Sequence, residues 1–315
     1  MRQPPRGAVR RILLDPAPAA AAGRRMTWLL VVLATLLRLP LPGLMPAPLP
    51  GEAGAEGGIV IPLAPAIEGE RDDSLPAVTP ARGTDPPLVV IDPGHGGRDP
   101  GASSPEGELR EKDVTLALAR AMRDSLARSG RVRAALTRDG DSYLPLAERY
   151  AIARRLGADL FISVHADAAP ANDQARGATL YTLSEVASDR QAALLAAREN
   201  EADLIGGARL SPDANVNLIL IDLAQRESMN VSADFARLLY REASPVFPFR
   251  PDWHRFAAFV VLKAPDIPSI LFESGYLTNA VDAAYITSED GRAQIAEGMR
   301  RAVEAHFARR FLPGA

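Results

Sequence analysis

The sequence contains no cysteine, only four histidines, and no large excess of charge of either sign. Without cysteine, disulfides and thiolate metal sites are excluded, so a transition-metal site must use His, Asp or Glu. The scarcity of histidine allows each one to be weighed separately. The formal net charge of −3 argues against a partner bound through a basic surface, so no nucleic-acid partner is predicted.

The N-terminal region is basic and then briefly apolar. It contains several arginines, including Arg24 and Arg25, and residues 27–37 form an apolar run shorter than the ~20 residues that span a bilayer. This layout is typical of a secretory signal peptide. It predicts an export segment over residues 1–55, a periplasmic location, and no transmembrane anchor after cleavage. The sequence leaves the Sec and twin-arginine routes open, and an uncleaved anchor or a disordered tail is the alternative.

Two further regions follow the export segment. Residues 56–86 are rich in Gly, Ala, Pro and charge, which is typical of a flexible linker. From residue 87 apolar strands alternate with helical stretches, which predicts a catalytic domain over 87–315. Such alternation favours an α/β fold with a twisted, mostly parallel sheet flanked by helices on both faces. The predicted strands are 88–92, 132–137, 160–164, 178–183, 259–262 and 269–272, and the predicted helices are 112–126, 145–156, 188–204, 232–242 and 291–311.

Polar residues stand at the ends of three predicted strands. His95 lies just past the first strand, His165 directly follows 160–164, and Glu273 directly follows 269–272. Glu111 stands at the start of the first long helix. Because α/β folds place their sites at the carboxyl ends of strands, we expect these four side chains to meet.

These residue types suit a hydrolytic metal site. A catalytic zinc takes three protein ligands and keeps one position for water, and two His with one Glu is a known set. The metal lowers the pKa of its water to roughly 7, and a further carboxylate can move the proton. Each residue also has an ordinary alternative, such as a hydrogen-bonded surface His, a first-turn helix acid or an ion pair. Those alternatives suit His254, in a charged loop segment, and His306, on the last helix.

Four motifs carry a family resemblance: VVIDPGHGGRDPGA, EKDVTLALA, LFISVHADAA and PSILFESGYLTN. In this order they resemble the zinc N-acetylmuramoyl-L-alanine amidases of the type 3 amidase family, over residues 87–311. The resemblance implies that His95, Glu111 and His165 bind Zn²⁺ and that Glu273 is the catalytic acid/base. It implies cleavage of the bond between N-acetylmuramic acid and L-alanine in peptidoglycan, during wall remodelling or daughter-cell separation.

Two positions depart from the family pattern. Asp167 stands where the family often has Asn, and Tyr276 where Phe is common. Neither change removes an implied ligand, so the metal site is not affected. We expect them to alter contacts with the substrate.

An additional segment over residues 184–228 is longer than the core fold needs. It resembles the extra segment of cell-division amidases, in which a helix covers the zinc until an activator, typically with a LytM-type domain, displaces it. We hypothesise that helix 188–204 is such a lid, with Glu199 or Glu201 reaching the zinc. The alternative is an ordinary surface helix with charge pairs four residues apart.

Two other function classes remain open at this point. One is a non-catalytic protein that binds peptidoglycan or an activator on the same fold. The other is a zinc peptidase acting on the stem peptide. The products distinguish them, because an amidase frees an intact peptide beginning with L-alanine.

Overall fold

The computed structural model describes residues 75–205 and 218–310, so the predicted export segment and residues 56–74 lie outside the described residues. The strands are β1 Leu88–Pro93, β2 Arg133–Leu136, β3 Leu160–Asp167, β4 Ala178–Leu183, β5 Phe249–Ala257 and β6 Ser269–Tyr276. The helices are α1 Glu111–Ser129, α2 Leu146–Arg155, α3 Arg190–Asn200, α4 Ala202–Ile205, α5 Leu218–Ala243, α6 Ala280–Thr287 and α7 Glu289–Arg310, with a 3₁₀ turn at Val260–Leu262.

The described strands form one mixed, mostly parallel sheet. Its order is β2-β1-β3-β6-β4-β5. The first four of these strands run parallel, whereas β4 is antiparallel to β6 and parallel to β5. The carboxyl ends of β1, β3 and β6 therefore meet at one edge in the middle of the sheet, where His165 on β3 lies opposite Glu273 on β6.

Helices cover both faces of the sheet, as the sequence predicted. Successive residues of β1 point to opposite faces, because the side chains of a strand alternate. Val89 and Ile91 join a core with α1, α5 and α7. Leu88 and Val90 join a second core with α2 and α3. The strand β1 is fully buried and is apolar from Leu88 to Ile91, as a parallel strand covered on both faces requires.

Several predicted elements are corrected by the structure. Residues 259–262 are not a strand, since Val260–Leu262 is a 3₁₀ turn and the strand β5 precedes it. His254 therefore lies on a strand and not in a loop. The sequence of β5 is polar because it is an edge strand with much of its surface exposed. The closing helix, predicted over 291–311, is α7, and the short helix α6 before it, which ends at the extended Ser288, was not predicted.

Other elements differ in their limits. The strands β3 and β6 extend past their predicted ends, so His165 and Glu273 lie inside them. The predicted helix 188–204 is divided, because α3 ends at Asn200 and the short α4 follows.

The last part of the predicted linker lies along the outer edge of the sheet. Val78 bridges to Ala135 of β2. The backbone N–H of Thr79 donates to the Ala134 carbonyl at 2.8 Å, and that of Arg82 donates to the Gly130 carbonyl at 2.8 Å. Across residues 75–205 and 218–310, no helix combines the length and the apolar character needed to cross a membrane.

Candidate metal centre

The loop after β1 holds His95 in an unusual backbone conformation. Its φ of 60° is left-handed, which is uncommon for a residue with a side chain. The buried Arg149 donates to the carbonyls of Pro93 at 2.8 Å and His95 at 2.9 Å. The same guanidinium pairs with buried Asp92 at 3.0 Å. These charge-assisted hydrogen bonds fix the loop and so the direction of the imidazole.

A second buried guanidinium supports the same loop. Arg138 donates to the carbonyls of Pro93 at 3.1 Å, Gly94 at 2.8 Å and Lys112 at 3.0 Å. Burial, with the neighbouring charge of Arg149, lowers the pKa of Arg138 to about 10. Arg138 therefore stays charged at neutral pH and ties the His95 loop to helix α1.

Two glycines allow the site residues to approach one another. A Cβ on Gly94 would lie 2.5 Å from the His165 ring. Gly101 has a φ of +66°, and a Cβ there would lie 2.6 Å from the His95 ring and 2.7 Å from the Glu111 carboxylate. Because such distances are sterically forbidden, both positions require glycine.

Glu111, the first residue of α1, connects the two imidazoles. One carboxylate oxygen lies 3.1 Å from His95 Nε2 and the other 3.1 Å from His165 Nδ1. The same two oxygens accept the backbone N–H groups of Ala102 at 2.8 Å and Ala166 at 3.0 Å. The Glu111 carboxylate is therefore held by the chain around it.

Helix α3 brings a second carboxylate to the same place. Glu199 Oε2 lies 3.3 Å from both His95 Nε2 and His165 Nδ1, and the side chain is buried. Glu201 is exposed. Of the two glutamates considered from the sequence, Glu199 thus lies at the centre. Ala192, Leu195 and Ala196 form the buried face of α3. Continued at the helical period, this face includes position 199 but not position 201.

The donor set fits a metal ion. His95 Nδ1 is hydrogen-bonded to Asp99 at 2.8 Å, which directs Nε2 into the cluster, as metal-ligating histidines require. Buried His95 Nε2 and Glu199 Oε2 have no hydrogen-bond partner among the described residues. Two ligand atoms on tetrahedral zinc are about 3.3 Å apart, close to the separations of Glu111 and Glu199 from the imidazoles. His95, His165 and Glu199 form a group that can hold a metal.

The electrostatics of the cluster also favour a cation. Burial lowers the pKa of His95, but the charges of Glu111 and Glu199 outweigh it and raise that pKa well above its usual range. Burial opposes ionisation of Glu199, yet His165 and His95 lower its pKa to about 2. A buried site that strongly favours added positive charge is suited to a divalent ion.

Glu273 lies beside this group on β6. It is buried, and among the described residues neither carboxylate oxygen has a hydrogen-bond partner. Burial, with the charges of Asp167 and Glu111, raises its pKa well above the usual range. A carboxyl group with a raised pKa and free oxygens is suited to accept and return a proton near neutral pH.

Comparison with known proteins settles the family. A family model described as N-acetylmuramoyl-L-alanine amidase matches residues 89–305. The chain belongs to this amidase family. The predicted resemblance, fold class and enzyme class are thereby confirmed, and the four motifs quoted above all lie within or at the edge of the matched region.

Individual relatives agree with the family assignment. The chain is 38% identical to the amidase AmiA of Escherichia coli strain K12 over 70% of this chain and 76% of AmiA. It is 36% identical to AmiC of Escherichia coli O6:H1 over 72% of this chain, and it spans 54% of the length of that AmiC. The structure of AmiC2 of Nostoc punctiforme superposes with a TM-score of 0.51 at 28% identity, over 72% of this chain and 99% of AmiC2.

Sequence reasoning missed Arg138 and three further residues that shape this amidase centre. Asp99 is visible in the sequence as an acidic residue four positions after His95. Arg198 directly precedes Glu199 and donates to its Oε1 at 3.0 Å. Arg149 is far from the His95 loop in the sequence, and no local pattern connects the two.

Proposed function

We propose that the protein hydrolyses the amide bond between N-acetylmuramic acid and L-alanine of peptidoglycan, with zinc bound by His95, Glu111 and His165. The bound zinc would supply an activated water and polarise the scissile carbonyl. The observation that carries the proposal is the convergence of two imidazoles and an anchored carboxylate beside the unbonded carboxyl of Glu273, in a chain of the amidase family.

The hydrogen bonds favour Glu111 over Glu199 as the permanent ligand. Both oxygens of Glu111 are fixed by backbone N–H groups of the sheet region. Glu199 Oε2 has no such support within the described residues, and Glu199 belongs to a peripheral helix. A ligand held by its surroundings remains in place through catalysis, whereas Glu199 can leave with α3.

Glu273 is proposed as the group that moves the proton. Its raised pKa allows it to accept a proton from the attacking water and to deliver that proton to the leaving amide nitrogen. The fixed loop around His95 and the buried position of Glu273 keep both groups oriented.

Helix α3 is proposed as a lid that keeps the enzyme inactive. Glu199 occupies the space that a water or the substrate carbonyl needs, so substrate can react only after α3 moves. Arg198 strengthens this closed arrangement by donating to Asp167 at 2.8 Å. Displacement by an activator with a LytM-type domain would fit an enzyme exported to the periplasm that acts in daughter-cell separation.

The test is product analysis after incubation of the full chain with isolated peptidoglycan. Parallel samples contain a chelator, a chelator followed by zinc, the Glu273→Gln variant, and the Glu199→Ala variant. We expect intact stem peptides with a free L-alanine amino group, more of them with Glu199→Ala, and none with the chelator alone or with Glu273→Gln. Shortened peptides would establish a stem peptidase. Retention on peptidoglycan without products from any sample would establish a binding protein.

A further inference from the structure

A groove beside α3 is lined by arginines. It encloses about 320 Å³ between α3, the segment after β3, and the strands β4, β5 and β6. Arg250 and Arg255 of β5 and the tyrosines Tyr181 and Tyr276 line its sheet side. Three cationic side chains meet here, because Arg198 of α3 lines the groove too, although the whole chain carries a net charge of −3.

Arg255 is bound by a carboxylate that belongs to the lid. Its Nε donates to one oxygen of Asp189 at 2.9 Å, and its Nη2 donates to the other. This is the two-pronged geometry in which arginine recognises carboxylates. Asp189 is the N-cap of α3 and accepts the backbone N–H groups of Gln191 and Ala192.

The other contacts of Arg255 are weaker. Tyr181 OH lies 3.4 Å from the guanidinium and the exposed Asp252 carboxylate lies 3.5 Å away. Gln191 Oε1, at 3.3 Å, also belongs to α3. When α3 moves, the mostly buried guanidinium therefore loses its best acceptor, and leaving a buried charge without its partner is costly.

We infer that Arg255 binds a carboxylate of the substrate peptide, and that Asp189 occupies this subsite while α3 is closed. The inference rests on the proposed function, since it takes α3 as the lid and a peptide as the substrate. Arg250, which pairs with Asp252 at 3.1 Å, also lines the groove and is held by Tyr276, whose hydroxyl accepts from it at 2.6 Å. Tyr276, one of the two departures from the family pattern, thus orients a groove arginine.

The spacing along α3 indicates which part of the peptide reaches Arg255. Asp189 and Glu199 are ten positions apart, which corresponds to ~15 Å in an α-helix. An extended peptide covers ~3.3–3.6 Å per residue, so the subsite lies about four residues from the scissile amide. The lid thus places one carboxylate at the reaction centre and another where the far end of a stem peptide would bind.

The test measures peptide binding and not catalysis. Calorimetry compares a stem tetrapeptide with free carboxylates and the same peptide carrying a C-terminal amide, and a third peptide amidated at its third residue. The protein is the full chain with Glu199→Ala, alone and combined with Arg255→Gln. We expect the peptide with the C-terminal amide to bind the Glu199→Ala parent protein about tenfold or more weakly than the free-acid peptide does, and no such difference after Arg255→Gln.

Two further variants control the comparison. Arg154→Gln removes a guanidinium that is paired with Asp266 in the same two-pronged way on the surface, and it should leave the discrimination intact. Asp189→Asn keeps a good N-cap residue but removes the competing charge, so the free-acid peptide should bind more tightly. Equal affinity of the parent for all three peptides, or discrimination that survives Arg255→Gln, would overturn the inference. Product release from peptidoglycan, measured separately, judges the amidase activity on its own.

Discussion

Glu111 and Glu199 approach the same two imidazoles from two different helices, α1 and α3, at almost equal distances of 3.1 Å and 3.3 Å. Their surroundings differ. Each Glu111 oxygen also accepts a backbone N–H, from Ala102 or Ala166. Glu199 Oε1 accepts from Arg198, a half-exposed side chain of its own helix. Distance to the histidines alone would rank the two carboxylates as equals.

The difference lies in what holds each carboxylate in place. The sheet side of the centre is fixed by buried arginines and backbone amides. The α3 side is attached through partly exposed side chains, such as Arg198 with Asp167, and a pair of this kind contributes little because solvent screens it. A fixed half can serve as the reaction centre, and a loosely attached half can serve as its cover. The predictions below test this division.

The largest effect is expected on the fixed side, at Glu273. The Glu273→Gln variant keeps the size of the side chain but cannot exchange the proton. We expect the rate of peptide release to fall about 10²–10⁴-fold, the usual contribution of general acid–base catalysis. Metal content, measured by elemental analysis, should stay unchanged. Loss of metal together with activity would show that Glu273 holds the ion.

The two carboxylates should give opposite results when neutralised. Glu111→Gln removes an anchored ligand, and we expect metal affinity to fall by more than the ~10–100-fold typical of outer-shell changes. Glu199→Gln should keep metal affinity within a few-fold and raise basal hydrolysis. Competition with a graded series of chelator concentrations measures the metal affinity. Dye release from labelled peptidoglycan measures the basal hydrolysis. If Glu199→Gln lost the metal and Glu111→Gln kept it, the roles would be exchanged.

Replacing Arg149 tests whether the sheet side of the metal centre depends on the buried arginine that supports the His95 loop. Arg149→Met leaves the Asp92 carboxylate buried without its cationic partner, which typically costs about 3–5 kcal/mol of folding stability. It also releases the carbonyls of Pro93 and His95, so we expect metal affinity to fall about 10–100-fold in protein that is still folded. Arg149→Lys should restore part of the stability but less of the affinity, because lysine cannot reproduce the planar fork.

Denaturant unfolding and chelator competition on the same samples separate the two effects. Arg154→Gln, at an exposed guanidinium, is the control for both. Normal metal affinity in a destabilised Arg149→Met protein would mean that the arginine supports the fold alone.

The sequence predicts the fold well where strands are buried on both faces. The strand β4 was predicted with its observed limits, and β1 and β6 by their apolar runs. The prediction from the sequence failed for β5. This edge strand has exposed side chains such as Asp252, so its sequence shows no apolar alternation. Helix α6 was also missed, because its eight residues are too few to show a clear helical period.

For the site, the sequence predicts the residues that stand in motifs but not the residues that support them. His95, Glu111, His165 and Glu273 stand in motifs, and the structure brings them together. Arg149 could not be predicted, because its contacts are hydrogen bonds to the carbonyls of a loop 54 positions away. The choice between Glu199 and Glu201 lay within reach of the sequence, since the apolar stripe of α3 points to position 199.

The smallest effect is expected at the attachment of the lid. Asn200, at the end of α3, donates to the Ala258 carbonyl at 2.9 Å and accepts from the Val260 N–H at 2.8 Å. Since this side chain is partly exposed, Asn200→Ala should weaken the closed state by about 1 kcal/mol. That energy corresponds to a roughly fivefold rise in the open population, and therefore in basal hydrolysis, if closure limits the rate.

Gln294→Ala is the matched control for Asn200→Ala. It removes another partly exposed amide that accepts a hydrogen bond, from Tyr285 at 2.9 Å, on helix α7. It should leave basal hydrolysis unchanged. In the Glu199→Gln background the effect of Asn200→Ala should shrink to the extent that the open form is already the major one, because both changes act on one equilibrium and its open fraction cannot exceed one. A fivefold rise in a background that is already mostly open would mean that Asn200 acts on the enzyme independently of the lid, and Asn200 would then not be one of the contacts that hold the lid closed.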